Sequence, residues 1–127
     1  LTDAAAAAVV TNGVGVRATG KTALARLAAA AVVGVPPEFM GIGPAPAIRL
    51  LLERAGLALG AVARFEINEA QGAQALAVAR ELQLDEDKLN VHGGAIALGH
   101  PLAATGVRLT ITCERQLRDI GARWGIA

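Results

Sequence analysis

Aromatic residues, cysteine and excess charge are all scarce in this sequence. Of its 127 residues 2% are aromatic, one is cysteine and none is tyrosine, and the formal net charge is +1. The single cysteine, Cys113, excludes an internal disulfide and fits a reducing compartment. With charged residues at 18% and nearly balanced in sign, the chain offers no basic surface for nucleic acid or an anionic membrane. We therefore expect neither partner.

Long hydrophobic runs are also missing. Residues 4–10 are too few to cross a bilayer, and Arg26 interrupts the apolar stretch of residues 24–35. The chain is nevertheless 54% hydrophobic, with a mean hydropathy of +0.46. A domain of this size has a large surface to cover with polar groups, so we expect burial against more polypeptide or a partner subunit. Because the chain begins with Leu1 rather than Met, we also expect it to be trimmed, and we find no targeting segment.

The order of apolar runs and turn residues predicts an α/β domain. Pro46 and Gly56 fit the start and end of one helix, and Asn68 opens a second, with Gln71 three residues later as in a capping box. Strands alternating with helices at this spacing argue for α/β layering. The predicted elements are strands at residues 4–11, 62–67, 89–91 and 124–127, helices at 45–55 and 68–82, a loop at 40–44, and a last helix marked by Leu109, Cys113, Leu117 and Ile120 and ended by Gly121.

One motif matches a phosphate-binding loop. From Gly15 to Thr22 the sequence GVRATGKT fits the pattern G-x-x-x-x-G-K-[ST] at every specified position. Backbone N–H groups and Lys21 would then bind phosphates, and Thr22 would bind magnesium. Nucleotide hydrolases also need an apolar strand ending in Asp, which is not evident downstream, and 15 glycines make the spacing easy to meet by chance. A P-loop nucleotide-binding protein is therefore an alternative, not the preferred interpretation.

Three further segments point to one family. They are MGIGP at residues 40–44, NEA at residues 68–70 and GGAIALGHP at residues 93–101. In this order they resemble the signature segments of the thiolase family, and the resemblance covers essentially the whole chain. It implies an α/β fold, one half of a thiolase-like αβαβα layered sandwich with a mixed sheet, truncated before its final strands. Residues 1–127 would be an incomplete C-terminal domain, in which residues 1–22 resemble the end of the N-terminal half and residues 12–20 a surface helix ended by Gly20.

The resemblance implies catalytic roles for two residues. Thiolases are acyltransferases that work through an acyl-cysteine intermediate and use a second cysteine for proton transfer. His100 would activate the nucleophilic cysteine, which lies outside this chain, by taking its thiol proton. Asn68 would hold a water molecule and form, with His100, the oxyanion site where enolate charge develops. The second cysteine belongs to a Cys-x-Gly-Gly-Gly motif expected after Ala127, so the 127-residue chain alone should be inactive.

Substrate contacts follow from the same resemblance. Met40 would line the channel for the pantetheine arm of coenzyme A, and Ala70 and Gln71 would lie near the acyl end. Gln71 and Gly72 replace the usual Phe and Ala, which changes the polarity or shape of the acyl pocket. The implied reaction is 3-ketoacyl-CoA thiolysis, as in β-oxidation of fatty acids, or the reverse condensation of acetyl-CoA, with a coenzyme A thioester as substrate and no metal or bound cofactor. We expect a homodimer or tetramer and a cytoplasmic location, with mitochondria or peroxisomes left open.

Simpler interpretations exist for the same residues. Asn68 could be a helix N-cap, His92 a structural or surface residue, Met40 core filler and Cys113 a small buried hydrophobe. A thiolase-like interaction fragment without chemistry of its own is the second alternative, beside the nucleotide-binding protein.

Overall fold

The computed structural model describes residues 2–127, and parallel strand pairing lies at its centre. Strand β1 (Arg64–Phe65) pairs with β2 (Gly125–Ile126), and Phe65 forms a further parallel bridge with Leu89 on its other side. The α/β class is confirmed. All three segments run parallel, so residues 2–127 do not include the antiparallel pair that a mixed sheet requires.

Helices surround this small sheet. The five α-helices of residues 2–127 are α1 (Gly13–Thr19), α2 (Pro44–Ala55), α3 (Gly72–Leu82), α4 (Ala95–Leu98) and α5 (Leu102–Asp119). Short 3-10 turns lie at Pro37–Ile42, Leu59–Ala61 and Glu86–Lys88.

Helix α2 forms where the sequence predicts it. Two prolines occupy its first turn, where a missing N–H costs no helical hydrogen bond, and Ile48 and Leu52 turn the same face to the core. Gly56 ends the helix in the left-handed conformation, with φ 64°. The predicted helix at residues 45–55 is therefore confirmed, and it begins one residue earlier.

Phe65 is at the middle of the hydrophobic core. It is 2% exposed and is packed among side chains from α2, α3 and both strands. A buried phenylalanine of this kind stabilises the fold by about 1.5–3 kcal/mol relative to an exposed one. The core residues are Ala45, Ile48, Leu52, Val62, Phe65, Ile67, Val78, Leu82 and Ile126.

The last helix and the surface helix are also confirmed. Helix α5 buries Leu109 and Cys113 as expected, and Gly121 follows it with φ 64°. Its stripe continues through the polar Gln116, which is 1% exposed, instead of Ile120, which is 48% exposed. Helix α1 ends at a left-handed Gly20, as the resemblance implied, and the predicted strand at residues 124–127 is present as β2.

Five predicted elements are wrong or shorter than expected. Residues 4–11 form no strand, and Val9 and Val10 are more than 90% exposed; an apolar run becomes a strand only beside a partner, and no described residue pairs with this one. Residues 40–44 are not a loop but the end of a 3-10 turn and the start of α2. The second helix begins at Gly72 rather than Asn68, and Gln71 is its N-cap without a capping side-chain bond. The strand predicted over 62–67 is reduced to Arg64–Phe65, and that over 89–91 to one bridge.

Candidate active site

His100 lies in the short connection between α4 and α5. Gly99 before it has φ 90°, a conformation that glycine adopts readily, and Pro101 after it is the N-cap of α5. These neighbours turn the chain sharply and leave His100 exposed rather than packed in the interior. The imidazole is therefore accessible to a reacting group.

Thr105 forms a hydrogen bond with that imidazole and can select its tautomer. Nδ1 of His100 lies 2.7 Å from Oγ1 of Thr105, and the same hydroxyl donates to the carbonyl oxygen of Pro101 at 3.0 Å. A hydroxyl has one proton, so a Thr105 hydroxyl that donates to Pro101 must accept from His100 Nδ1–H. The neutral ring then presents the lone pair of Nε2, which can take a proton from a neighbouring acid.

Asn68 lies in the segment between β1 and α3, four residues before α3 begins. It is half-buried, and its Oδ1 is buried without a hydrogen-bond partner within residues 2–127. A buried amide oxygen of this kind is costly unless something donates to it. Because the side chain caps no helix, the N-cap interpretation is wrong, and the oxygen can accept from a water molecule or a ligand.

Glu69 connects the Asn68 segment to the segment that carries His100. Its Oε1 accepts from Asn90 Nδ2 at 2.9 Å, and its Oε2 accepts from the backbone N–H of Ile96, in the first turn of α4, also at 2.9 Å. The carboxylate lies directly against Gly94, where any side chain would collide with it. The structure thus joins two of the three signature segments by one side-chain hydrogen bond, between Glu69 and Ile96.

Asn90 completes this connection from the other side of β1. Its Oδ1 accepts from the Ile67 N–H at 2.8 Å, and its Nδ2 donates to the Ile67 carbonyl at 2.9 Å. The side-chain amide thus makes the two hydrogen bonds that the backbone of a neighbouring strand would make. Its backbone has φ 48°, a conformation that Asn tolerates better than most residues. Sequence reasoning missed Asn90, and the roles of Glu69 and Thr105, because each acts through a hydrogen bond that residue spacing alone does not reveal.

A buried carboxylate holds α5 against β1 next to the site. Glu66 is 1% exposed; its Oε1 accepts from Gln116 Nε2 at 2.8 Å, and its Oε2 lies 3.5 Å from Nη1 of Arg108. Burial raises the pKa of Glu66 above its ordinary 4.5, although the Gln116 hydrogen bond and the Arg108 charge lower it in part. Because both partners are on α5, this cluster sets the position of the helix that begins just after His100.

The residues predicted to contact coenzyme A lie at the surface. Met40 is 75% exposed in the 3-10 turn, and Ala70 and Gln71 are exposed just before α3. The turn packs against α3, where Gly41 lies against the side chain of Gln74. Met40 and Gln71 are thereby placed at the same end of α3.

Cys113, the single cysteine, and His92, the second histidine, are not part of this site. Cys113 is 5% exposed, with its Sγ 3.8 Å from the Ile126 carbonyl oxygen, and burial with the nearby Glu66 charge raises its pKa to about 11. A thiol of this kind stays protonated and unreactive at neutral pH, so Cys113 is the buried hydrophobe that was expected. His92 is exposed, in a turn.

Comparison with known proteins decides the family. A family model described as "Thiolase, C-terminal domain" matches residues 21–127. The chain belongs to the thiolase family. Among curated thiolases, the 3-ketoacyl-CoA thiolase of Bacillus subtilis (strain 168) is 46% identical over 98% of this chain and 32% of its own length. The acetyl-CoA acetyltransferase of Escherichia coli (strain K12) is 48% identical over 100% of this chain and 32% of its length.

Solved thiolase structures share the fold. A crystal structure of human mitochondrial 3-ketoacyl-CoA thiolase in complex with CoA matches with a TM-score of 0.84 and 47% identity, over 87% of this chain and 28% of that one. The chain thus spans about a third of the length of the thiolases that it matches. Its α/β fold is that of part of a thiolase.

The geometry of α1 argues against the phosphate-loop alternative. In this chain residues 15–19 of the motif are helical, and Lys21 and Thr22 follow the left-handed Gly20 that ends α1. A phosphate site needs the N–H groups at a helix N-terminus, whereas Lys21 lies beyond a C-terminus, where carbonyl groups point outward.

Residues 2–127 show neither a cluster of metal ligands nor a membrane-spanning helix. No group of three or more His, Cys, Asp or Glu side chains is arranged to hold a metal ion. None of the described helices combines the length and apolar character that crossing a membrane requires.

Proposed function

We propose that this chain supplies the C-terminal part of the active site of a thiolase. The reaction would be 3-ketoacyl-CoA thiolysis or acetyl-CoA condensation through an acyl-cysteine intermediate, with His100 activating a cysteine outside residues 1–127. The observation that carries this proposal is the hydrogen bond from His100 Nδ1 to Thr105, which leaves Nε2 of an exposed imidazole as a proton acceptor.

The first chemical step follows from that tautomer. Nε2 of His100 takes the proton of the cysteine thiol, and the thiolate attacks the 3-keto carbonyl carbon of the substrate. The bond between carbons 2 and 3 then breaks, the acyl group stays on sulfur, and the electron pair leaves as the enolate of acetyl-CoA, which a proton donor outside this chain converts to acetyl-CoA. Thiolysis by the thiolate of a coenzyme A molecule releases the acyl group.

Asn68 would act on the enolate oxygen. Its unpartnered Oδ1 can accept one proton of a water molecule, which then donates its other proton to the developing negative charge. His100, once protonated at Nε2, can donate the second hydrogen bond. His100 thus serves both the nucleophile and the oxyanion, and Asn68 serves the oxyanion, as the resemblance implied.

Coenzyme A thioesters are the proposed substrates. The names of the similar thiolases and the CoA complex of the human enzyme support this class. Met40, Ala70 and Gln71 would contact the pantetheine arm and the acyl end, and their exposure at one end of α3 leaves them accessible to a ligand. No metal or bound cofactor enters the proposed steps, and we propose a homo-oligomeric assembly in the cytoplasm.

The domain assignment is part of the proposal. We assign residues 1–127 to a thiolase C-terminal domain, with residues 1–22 belonging to the end of the N-terminal half. The start of the family match at residue 21 supports this division. Exposed apolar side chains at Val9, Val10 and Leu27 support burial of residues 2–34 against additional polypeptide.

Replacing each histidine separately tests the proposal. In the complete gene product that contains this chain, His100→Ala should lower kcat for acetoacetyl-CoA thiolysis by ~10²–10⁴-fold, the usual contribution of a general base. His92→Ala is the matched control, since this second exposed histidine forms no hydrogen bond with Thr105 or Glu69, and it should retain wild-type kcat. The 127-residue chain alone should show no turnover.

Two results would count against the proposal. Wild-type kcat in His100→Ala would leave the interaction-fragment alternative, in which the chain has no chemistry of its own. Turnover by the isolated 127-residue chain would show that no cysteine from outside it is needed.

A further inference from the structure

Glu69 offers two acceptors to two donors whose positions are fixed by other contacts. One is the N–H of Ile96 in the first turn of α4, and the other is Nδ2 of Asn90. Residue 96 is four positions before His100, whereas Glu69 follows Asn68 directly. A single carboxylate therefore spans the two segments that carry the proposed site.

Asn90 cannot reverse its amide to suit a different partner. Its Oδ1 accepts from the Ile67 N–H and its Nδ2 donates to the Ile67 carbonyl, so a flipped amide would set donor against donor and acceptor against acceptor. Asn90 is also 8% exposed, which leaves little access for water. The group that faces Glu69 is consequently always a donor.

The other donor is fixed as strictly. The Ile96 N–H is a backbone group at the beginning of a helix, without an intrahelical acceptor. Gly94 lies flat against the Glu69 carboxyl group, because any Cβ there would overlap it. The close approach of the Gly94 backbone thus holds the carboxylate and α4 together from a second direction.

We propose that Glu69 is a positioning residue that sets His100 relative to Asn68. Its carboxylate ties the backbone after Asn68 to helix α4, and α4 ends at Leu98, two residues before His100. A neutral amide cannot replace it, because a glutamine has one acceptor and would turn its own N–H₂ toward either Asn90 or Ile96. The inference rests on the proposed function of His100 and Asn68.

The test is Glu69→Gln in the complete gene product. In either orientation of the glutamine one donor faces another donor, which displaces the side chain and with it α4, and a displacement of about 1 Å at a catalytic group can lower the rate ~10²-fold. We expect kcat for acetoacetyl-CoA thiolysis to fall by ~10–10²-fold with KM nearly unchanged. The amide of Ile96 should also exchange with deuterium faster, a readout that does not depend on activity.

Two matched variants separate positioning from general damage. Glu81→Gln makes the same charge change on an exposed glutamate paired with Arg49 and should leave kcat unchanged. Val78→Ala opens a cavity in the core and should lower the melting temperature without lowering kcat per folded molecule. Wild-type kcat in Glu69→Gln, or a loss no greater than that of Val78→Ala, would overturn the inference.

Failure of the proposed function would look different. If the wild-type protein has no thiolysis activity, or if His100→Ala keeps it, the catalytic assignment fails whatever Glu69 does. Unchanged exchange of the Ile96 amide in Glu69→Gln would instead refute the tie between the two segments, even in a protein that is fully active.

Discussion

Replacing Thr105 by valine removes the group that orients the His100 ring while leaving the shape of the helix almost unchanged. Threonine and valine are both β-branched and differ by a hydroxyl in place of a methyl group. The Pro101 carbonyl, which loses the Thr105 hydroxyl, still accepts from the backbone N–H groups of Ala104 and Thr105 at 2.9 and 3.0 Å. The substitution therefore acts mainly on His100.

The expected size of the effect comes from one hydrogen bond. A neutral hydrogen bond contributes about 0.5–1.5 kcal/mol net, which corresponds to a factor of ~2–13 in the population of the correct ring orientation and tautomer. His100 is exposed, so water can satisfy Nδ1 when the hydroxyl is gone. We expect Thr105→Val to lower kcat by that factor, well short of the loss in His100→Ala, and to change the melting temperature little.

Steady-state thiolysis of acetoacetyl-CoA by the complete gene product measures this. Thr105→Ser keeps the hydroxyl and should retain kcat. Thr110→Val is the matched control, since the Thr110 hydroxyl also donates to the carbonyl four residues before it, Gly106 at 2.9 Å, but holds no histidine. Equal kcat values in Thr105→Val and Thr110→Val would refute the reasoning about the tautomer.

Three further predictions concern groups outside the His100 loop. Because burial raises the pKa of Glu66, the folded state binds the carboxyl proton more tightly than the unfolded chain does. The stability of the wild type should therefore fall relative to that of Glu66→Gln as the pH rises from about 4.5 through the raised pKa. Melting temperatures of the two proteins that differ by a constant amount at every pH would contradict this. With a pKa of about 11, Cys113 should react with iodoacetamide only after denaturation, as peptide mass mapping can show, and labelling of the native protein would contradict its burial. Lys21→Ala should change neither thiolysis nor calorimetric ATP binding, which we expect to be undetectable; ATP binding that depends on Lys21 would restore the phosphate-loop alternative.

Helices with local signals could be predicted from the sequence. Helix α2 has prolines in its first turn, a stripe at Ile48 and Leu52, and Gly56 at its end, and all of these act within one or two turns. The predicted strand at residues 4–11 is wrong, because a strand depends on a partner that is distant in sequence and that the local pattern does not reveal. An apolar composition indicated burial but did not identify the surface that provides it.

The start of α3 shows how a distant contact overrides a local signal. Asn68 with Gln71 has the spacing of a capping box, yet both backbone groups of Ile67 bond to the Asn90 side chain. That pairing occupies the backbone N–H and C=O just before Asn68, and the helix begins four residues after Asn68, at Gly72. A residue 23 positions away in sequence determines the outcome, and no pattern near Asn68 reveals it.

The candidate site, like the fold, could be predicted only in part. His100 and Asn68 were identified because they belong to signature segments, and their roles remain predictions. Thr105 and Glu69 were visible as residues but not as partners of His100 and Ile96. Their importance depends on which atom donates and which accepts, and that became clear only with the geometry of the folded chain.

The amide of Asn90 also limits how the sheet can grow. On one side of β1 the backbone bonds run to β2, and on the other the carbonyl of Phe65 and both polar groups of Ile67 are occupied by Asn90. Strand β1 therefore has hydrogen-bond partners along both of its edges, and no additional strand can pair directly with it. Any additional strand must therefore join at the outer edge of β2 or beside Leu89.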